Sequence, residues 1–177
     1  MDPSQGPFLF DTSAESWLAR TGEPSAAAWW RGYLGSHPVH VSAVTIFERV
    51  RGYAMVWLAS DEERRAEIEA ARVAYLRIPR HVWPVDAAMA AVAGEIAALL
   101  PEPPTPPKKS HRIAESKSQR LSRWRFDGFI AAAALVTGLT LIHDNPGDFE
   151  TIRSGIENNP TRFPAMGPLN LVRCRRL

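Results

Sequence analysis

Short apolar segments alternate with longer segments of helical periodicity along most of the chain. Segments of strand length and apolar character occur at 8–10, 39–41, 82–85, 139–142 and 169–172. Between 43 and 59, by contrast, apolar residues recur at three- and four-residue spacing, which predicts an amphipathic helix. Strands that alternate with helices of this length are typical of an α/β domain with a mainly parallel sheet. We therefore predict an α/β fold, with the segment that contains Pro84 at a sheet edge.

The remaining helices are predicted from their capping residues and spacing. They start at Thr12 and cover 25–34 (with Gly35 as the stop), 60–77, 86–100, 126–136 and 146–156. The 177 residues fit a single domain. The longest apolar segment, 129–142, is interrupted by polar residues and glycine and is shorter than the roughly 18–20 residues that span a bilayer. The N-terminal residues do not resemble a signal peptide, so we expect a cytoplasmic protein with no membrane partner.

The positive charge of the chain is concentrated before the last third of the sequence. The net charge is only +2, yet residues 105–125 contain seven basic side chains and one acidic side chain, Glu115. Five prolines lie between 101 and 107, at the start of this segment, so the preceding helix cannot continue and a surface loop is expected there. Such a segment can attract a polyanion, or it can be a solvated loop that binds nothing.

Acidic residues follow two predicted strands and lie on two predicted helices. Each has a structural interpretation: Asp11 as a cap at a strand end, Glu48 in a capping box with Thr45, and Asp127 in the first turn of a helix. Asp148 is three residues after Asn145, which matches a helix N-cap followed by its third helical position.

The apolar surroundings of these acids favour a functional interpretation when they are taken together. Glu48 and Asp127 each lie beside the apolar face of a helix, where an uncompensated carboxylate is costly. Several such acids at one sheet edge would repel each other unless a cation bound them, and Mg²⁺ or Mn²⁺ prefers carboxylate and water oxygens. Such a metal can activate water for attack on a phosphodiester, so the pattern predicts nuclease chemistry.

Four motifs resemble those of the VapC-like PIN-domain family, in the same order and over nearly the whole chain. They are the strand with Asp-Thr-Ser at 8–13, the strand and helix bearing Glu48 and Gly52, the Asp-Gly-Phe-Ile-Ala-Ala-Ala-Ala segment at 127–134, and Asn-Pro-Gly-Asp-Phe at 145–149. The resemblance implies a three-layer α/β/α PIN-like fold and a catalytic, metal-binding pocket formed by Asp11, Glu48, Asp127 and Asp148, with Asn145 close by. It also implies Mg²⁺ or Mn²⁺ as cofactor, RNA as substrate, a homodimer, and a small VapB-like antitoxin whose C-terminal arm blocks the pocket.

Two features depart from the family pattern. His143 stands where the family usually has Thr or Ser, and Asp144 adds a carboxylate, so both are candidate accessory residues; a structural role is the alternative for His143. The Pro-rich and basic stretch at 101–123 is longer than the usual link, and we interpret it as an insertion within one domain spanning 1–177. A catalytically silent RNA- or partner-binding module is the alternative function. A metal-dependent phosphomonoesterase is disfavoured, because an Asp-x-Asp nucleophile pair is lacking.

Overall fold

The strands form one parallel sheet. The computed structural model describes residues 1–104, 116–163 and 166–177. Within them the strands are β1 (Phe8–Phe10), β2 (Val39–Ser42), β3 (Arg80–Trp83), β4 (Thr140–His143) and β5 (Leu171–Arg173). Their order in the sheet is β3-β2-β1-β4-β5, and every neighbouring pair is parallel. The predicted α/β class and the edge position of the strand next to Pro84 are confirmed.

Helices connect these strands. Their bounds in the described residues are α1 (Thr12–Leu18), α2 (Pro24–Ser36), α3 (Ala43–Leu58), α4 (Glu62–Arg77), α5 (Ala87–Leu99), α6 (Lys117–Thr137) and α7 (Pro146–Glu157). Short 3₁₀ helices cover Pro3–Gln5 and Cys174–Arg176. None of the helices in the described part of the chain is long and apolar enough to cross a membrane.

The sheet separates two hydrophobic cores, which gives the three layers. Because side chains alternate along a strand, Leu9 of β1 joins a core with residues of α5, α6 and α7, whereas Phe8 and Phe10 join a core with residues of α1 and α2. The second core is aromatic: Trp29 and Tyr33 of α2 stack on each other and contact the phenylalanine rings. Both faces of β1, the middle strand of the sheet, are therefore buried.

The helix α6 begins earlier than the sequence predicts. The expected start was residue 126, but the helix starts at Lys117, after a capping box in which Ser116 and Gln119 bond to each other's backbone N–H groups. Residues 117–123 of the expected insertion are therefore helical, and residues 105–115 lie outside the described residues. Gly35 does not stop α2, which ends at Ser36.

Candidate active site

Asp11 lies at the carboxyl end of the central strand. Its backbone N–H donates to the carbonyl of Ile142 at 3.0 Å, which extends the pairing of β1 with β4. Its carboxylate accepts a hydrogen bond from the backbone N–H of Ala14 at 2.5 Å and so caps α1. The side chain is nevertheless only 3% exposed. Asp11 thus caps the start of a helix instead of the end of the strand, and this cap holds a carboxylate inside the protein at the edge where the strands end.

A single amide connects the next two acids. Asn145 is the N-cap of α7, Pro146 is its first residue, and Asp148 occupies the third helical position, as the spacing predicts. The side-chain nitrogen of Asn145 donates to Oδ2 of Asp148 at 2.6 Å and to Oδ2 of Asp127 at 3.1 Å. Asp127 is ten residues into α6, so the first-turn interpretation of this acid is excluded. The two carboxylates, 6% and 8% exposed, thus face a shared polar group.

Glu48 reaches the same region from α3. Its Oε2 accepts a hydrogen bond from the hydroxyl of Thr12 at 2.5 Å, and Thr12 directly follows Asp11. The capping-box interpretation of Glu48 with Thr45 is wrong, because α3 begins at Ala43 and Ser42 is its N-cap. Glu48 is half-buried and therefore forms the more accessible side of the pocket.

The electrostatic interactions among these acids indicate that they share one environment. Burial raises the pKa of Asp11 to about 7, and the charges of Glu48 and Asp144 act in the same direction. Burial also raises the pKa of Asp127 well above its usual range, as do the charges of Asp148, Asp11 and Glu48. The pKa of Glu48 is raised by burial, although Thr12 and nearby arginines oppose the shift. Burial and the neighbouring carboxylates therefore favour the protonated forms of Asp11 and Asp127.

Such a donor set fits a hard divalent cation. It consists of carboxylate oxygens, which Mg²⁺ and Mn²⁺ prefer, and the charge of a bound cation would oppose the burial and the mutual repulsion that raise the pKa values of Asp11 and Asp127. Within residues 1–104, 116–163 and 166–177, no group of three or more histidine, cysteine, aspartate or glutamate side chains already has the arrangement of a metal site. In the described residues the acids therefore interact electrostatically, but their oxygens are not arranged as a preformed coordination sphere.

The two accessory candidates lie beside the pocket in different environments. Asp144 accepts hydrogen bonds from Nε of Arg175 at 2.9 and 2.8 Å, and from Nε of Arg173 at 3.4 Å. Burial acts to raise the pKa of Asp144, but these arginines outweigh it and hold the pKa below its usual range. His143 is buried with its ring edge-on to Phe149, and burial lowers its pKa to about 4, so the imidazole is neutral near pH 7.

Sequence reasoning did not identify two side chains that border the acids. Thr12 was visible in the Asp-Thr-Ser motif, but its bond to Glu48 depends on the packing of α1 against α3. Arg123 was counted only as part of the basic segment. It lies one helical turn before Asp127 on α6, with its Nε 3.8 Å from Oδ2 of Asp148, and its charge lowers the pKa of Glu48. Its side chain is 50% exposed, so it lies at the rim of the pocket.

Comparisons with known proteins agree with this geometry. A family model described as the PIN domain matches residues 8–153. Among solved structures, FitAcB from Neisseria gonorrhoeae is similar with a TM-score of 0.57 and 20% identity, covering 97% of this chain and 100% of that chain. VapBC2 from Rickettsia felis, bound to a DNA fragment from its promoter, has a TM-score of 0.56 and 14% identity, covering 94% and 97%.

DNA-bound VapBC from Salmonella typhimurium has a TM-score of 0.54 and 18% identity, covering 94% of this chain and 97% of that chain. At these identities the structural similarities establish a shared fold. No match emerges among curated protein sequences. The family model covers all four acids of the pocket but ends before β5 and the arginines that bind Asp144.

Proposed function

The chain belongs to the PIN domain family, whose members are generally nucleases, and on this premise we propose that it is a metal-dependent endoribonuclease. The observation that carries the proposal is the link that Asn145 makes between Asp127 and Asp148. Together with Asp11 and Glu48, these residues form a buried acidic pocket at the carboxyl edge of a parallel sheet, where α/β proteins bind their ligands.

In this proposal Asp11, Glu48, Asp127 and Asp148 hold Mg²⁺ or Mn²⁺. When bound there, the metal would supply activation of water for attack on an RNA phosphodiester and stabilisation of the departing oxygen. Asn145 orients two of the carboxylates, and Thr12 orients Glu48 through its hydroxyl. Asp11 is almost fully buried, so it would hold the metal from the interior side, whereas Glu48 is half-buried and would hold it from the side nearer to solvent.

Arg123 is suited to bind the phosphate of the substrate. Its guanidinium lies next to Asp148 and its side chain is 50% exposed, so a phosphate that enters the pocket meets a planar cation at the rim. The rest of the basic stretch on the first turns of α6, including Arg120 and Arg125, adds positive charge on the same helix. This charge favours RNA, which is drawn to basic surfaces by counterion release.

We also propose that a small antitoxin protein regulates this activity. The supporting observations are the shared fold with VapBC and FitAcB, and a groove of about 590 Å³ between α3 and α4. This groove starts at Thr12 and Glu48 and continues past Tyr53 to Val56, so a chain segment bound in it would reach the pocket. Homodimer formation is a further prediction, which the molar mass of the purified protein in solution would test.

Cleavage of RNA by the purified protein tests the proposed activity. We expect cleavage with Mg²⁺ or Mn²⁺, none with chelator, and a loss of activity in Asp11→Asn and in Asp127→Asn. The matched control is Glu63→Gln, an exposed acid in the first turn of α4, which should cleave like the wild type. Circular dichroism establishes that the variants fold. Normal cleavage by both aspartate variants would contradict the proposed site.

A catalytically silent binding module is the second candidate function, because no preformed metal arrangement exists in the described residues. On this alternative the protein binds RNA or a protein partner but cleaves nothing with either metal. The same acid substitutions then leave binding unchanged, whereas replacement of Arg120 and Arg123 weakens it. Measuring binding and cleavage on one labelled RNA therefore distinguishes the two functions.

A further inference from the structure

An exposed aromatic ring lies beside the acidic pocket. Phe47 of α3 directly precedes Glu48 and is 52% exposed. Its ring contacts the ring of Phe126 of α6, with the centroids 5.2 Å apart and an angle of 61° between the ring planes. Phe126 directly precedes Asp127, so the contact between the two rings lies next to two of the four acids. The proposed metal chemistry uses neither ring.

The contact with Phe126 holds the ring of Phe47 in place. Edge-to-face pairs at this distance are favourable for aromatic rings. Phe126 is itself partly buried and packs against the core formed with residues of α5, α6 and α7. One ring is therefore anchored in the protein interior, whereas the other packs on it and keeps about half of its surface open to solvent. A flat ligand can cover that open surface without displacing either side chain.

Two arginines flank this aromatic pair. Arg123 is three residues before Phe126 on α6, and Arg51 is four residues after Phe47 on α3, so each arginine neighbours one ring on its helix surface. Both arginines are exposed. Burial raises the pKa of Glu48, and the charges of the two arginines oppose that rise, so both act on the pocket. Positive charge and an aromatic surface thus occur together beside the acids.

This combination fits a single strand of nucleic acid. Proteins that bind single strands combine positive charge along the path of the phosphates with aromatic side chains on which the bases stack. In a double helix the bases already stack on one another, so an unpaired base is the one that can present its face to a protein ring. The phenylalanine provides the ring, and the arginines provide the charge.

We propose that Phe47 stacks on an unpaired nucleobase of the RNA strand whose phosphate enters the acidic pocket, and that Arg51 contacts a neighbouring phosphate. The inference rests on the proposed function, because it assumes that RNA is the substrate, and it narrows that substrate to single strands and loops. Phe47 contacts α6, whereas Glu48, Arg49 and Tyr53 line the groove between α3 and α4. The RNA base and the proposed antitoxin segment therefore bind to different sides of α3.

Binding of a labelled single-stranded oligoribonucleotide tests the inference, measured by fluorescence anisotropy with chelator present so that no cleavage occurs. Phe47→Ala should weaken binding by about tenfold, which lies in the range that stacking of one base contributes. Phe47→Leu keeps an apolar side chain but no ring and should lose nearly as much, whereas Phe47→Trp should retain wild-type affinity. The matched control is Leu58→Ala, which shortens an exposed apolar side chain at the other end of α3 and should bind like the wild type.

Two further measurements separate stacking from effects of folding and charge. On an oligomer of the same length that lacks bases, the wild type and Phe47→Ala should bind equally, because no base is left to stack; a folding defect would weaken binding of both oligomers. Arg51→Gln should reduce the slope of log affinity against log salt by about 0.7, the value for one phosphate contact to a single strand. Phe47→Ala should leave this slope unchanged.

Several results would overturn the inference. They are absence of RNA binding by the wild type, equal affinity of the wild type and Phe47→Ala for the oligomer with bases, and an equal loss in Phe47→Ala on both oligomers. A lower molar mass of Phe47→Ala in solution would also overturn it, since the ring would then lie between two copies of the chain. Failure of the proposed function gives a different result: the wild type cleaves no RNA with Mg²⁺ or Mn²⁺, and the binding ratios still decide whether Phe47 holds a base.

Discussion

The buried ion pair between Glu15 and Arg80 should dominate the stability of the helix that Asp11 caps. Nε of Arg80 lies 2.7 Å from Oε1 of Glu15, and the two side chains are only 4% and 7% exposed. The other carboxylate oxygen accepts from the hydroxyl of Tyr75 at 3.2 Å. The pair connects α1 to the edge strand β3 and, through Tyr75, to α4. We predict that Arg80→Met strongly destabilises the protein.

The magnitude follows from what this substitution leaves behind. Glu15 would keep a single neutral donor for a buried charge, and the carbonyls of Tyr75 and Ile78 would lose the donors at 2.7 and 3.1 Å that Arg80 supplies. Removing one partner of a buried pair costs about 3–5 kcal/mol. Against a total stability of about 5–15 kcal/mol for a typical domain, that is roughly a fifth or more of the free energy of unfolding.

Urea denaturation of the metal-free protein measures the effect. With a slope of about 1–3 kcal/mol per molar urea, the midpoint should fall by about 2 M. The control is Arg72→Met, which breaks an exposed pair with Glu69 on α4 and should hardly change the midpoint. A second variant, Glu15→Leu with Arg80→Met, should recover most of the loss because no buried charge remains. A cost below about 1 kcal/mol in Arg80→Met would refute the reasoning, since the pair would then behave as a surface contact.

Two further predictions concern the acidic pocket. Burial raises the pKa of Asp11 from its ordinary value of 3.8 to about 7 in the folded state, so the folded protein holds this proton more tightly than the unfolded chain. The thermal stability of the metal-free protein should therefore fall as the pH rises from about 4 to about 7. Asp11→Asn should make the melting temperature less dependent on pH in this range. Asn145→Ala should lower the melting temperature without metal, because the amide between Asp127 and Asp148 is lost, and saturating Mn²⁺ should restore it by neutralising both carboxylates. Scanning fluorimetry across pH, with and without Mn²⁺, checks both. A pH-independent melting temperature, or no recovery with metal, would contradict them.

The fold was predictable because its strongest signals are local. The alternation of strands and helices predicts a parallel sheet, and the proline after β3 predicts that β3 lies at its edge; the structure has both features. The start of α6 was missed because its first turns are polar and basic, which resembles a solvated loop. What makes this segment a helix is partly tertiary: Trp124 is buried, and its ring N–H donates to the carbonyl of Leu100 at 2.8 Å. No local sequence pattern predicts this contact between Trp124 and Leu100.

The order of the motifs predicts the four acids of the proposed pocket. Their hydrogen bonds depend on side chains that come together only in the fold, such as Thr12 with Glu48 and Asn145 with Asp127. The arginines that bind Asp144 are 29 and 31 residues further along the chain. Because β5 pairs with β4, the end of the chain meets the loop that follows β4, and only the strand order reveals it.

Structural and functional roles of an acid in this protein are not alternatives. Asp11 caps α1, and Asp148 occupies the favourable third position of α7, so each contributes to a helix start. Both also face the pocket. Asp127 differs, because it lies in the middle of α6, 6% exposed, where it stabilises no helix end. Its burial beside three other carboxylates costs free energy, which the hydrogen bond from Asn145 offsets only in part. Of the four acids, Asp127 is therefore the one whose presence argues most directly for a cation-binding function.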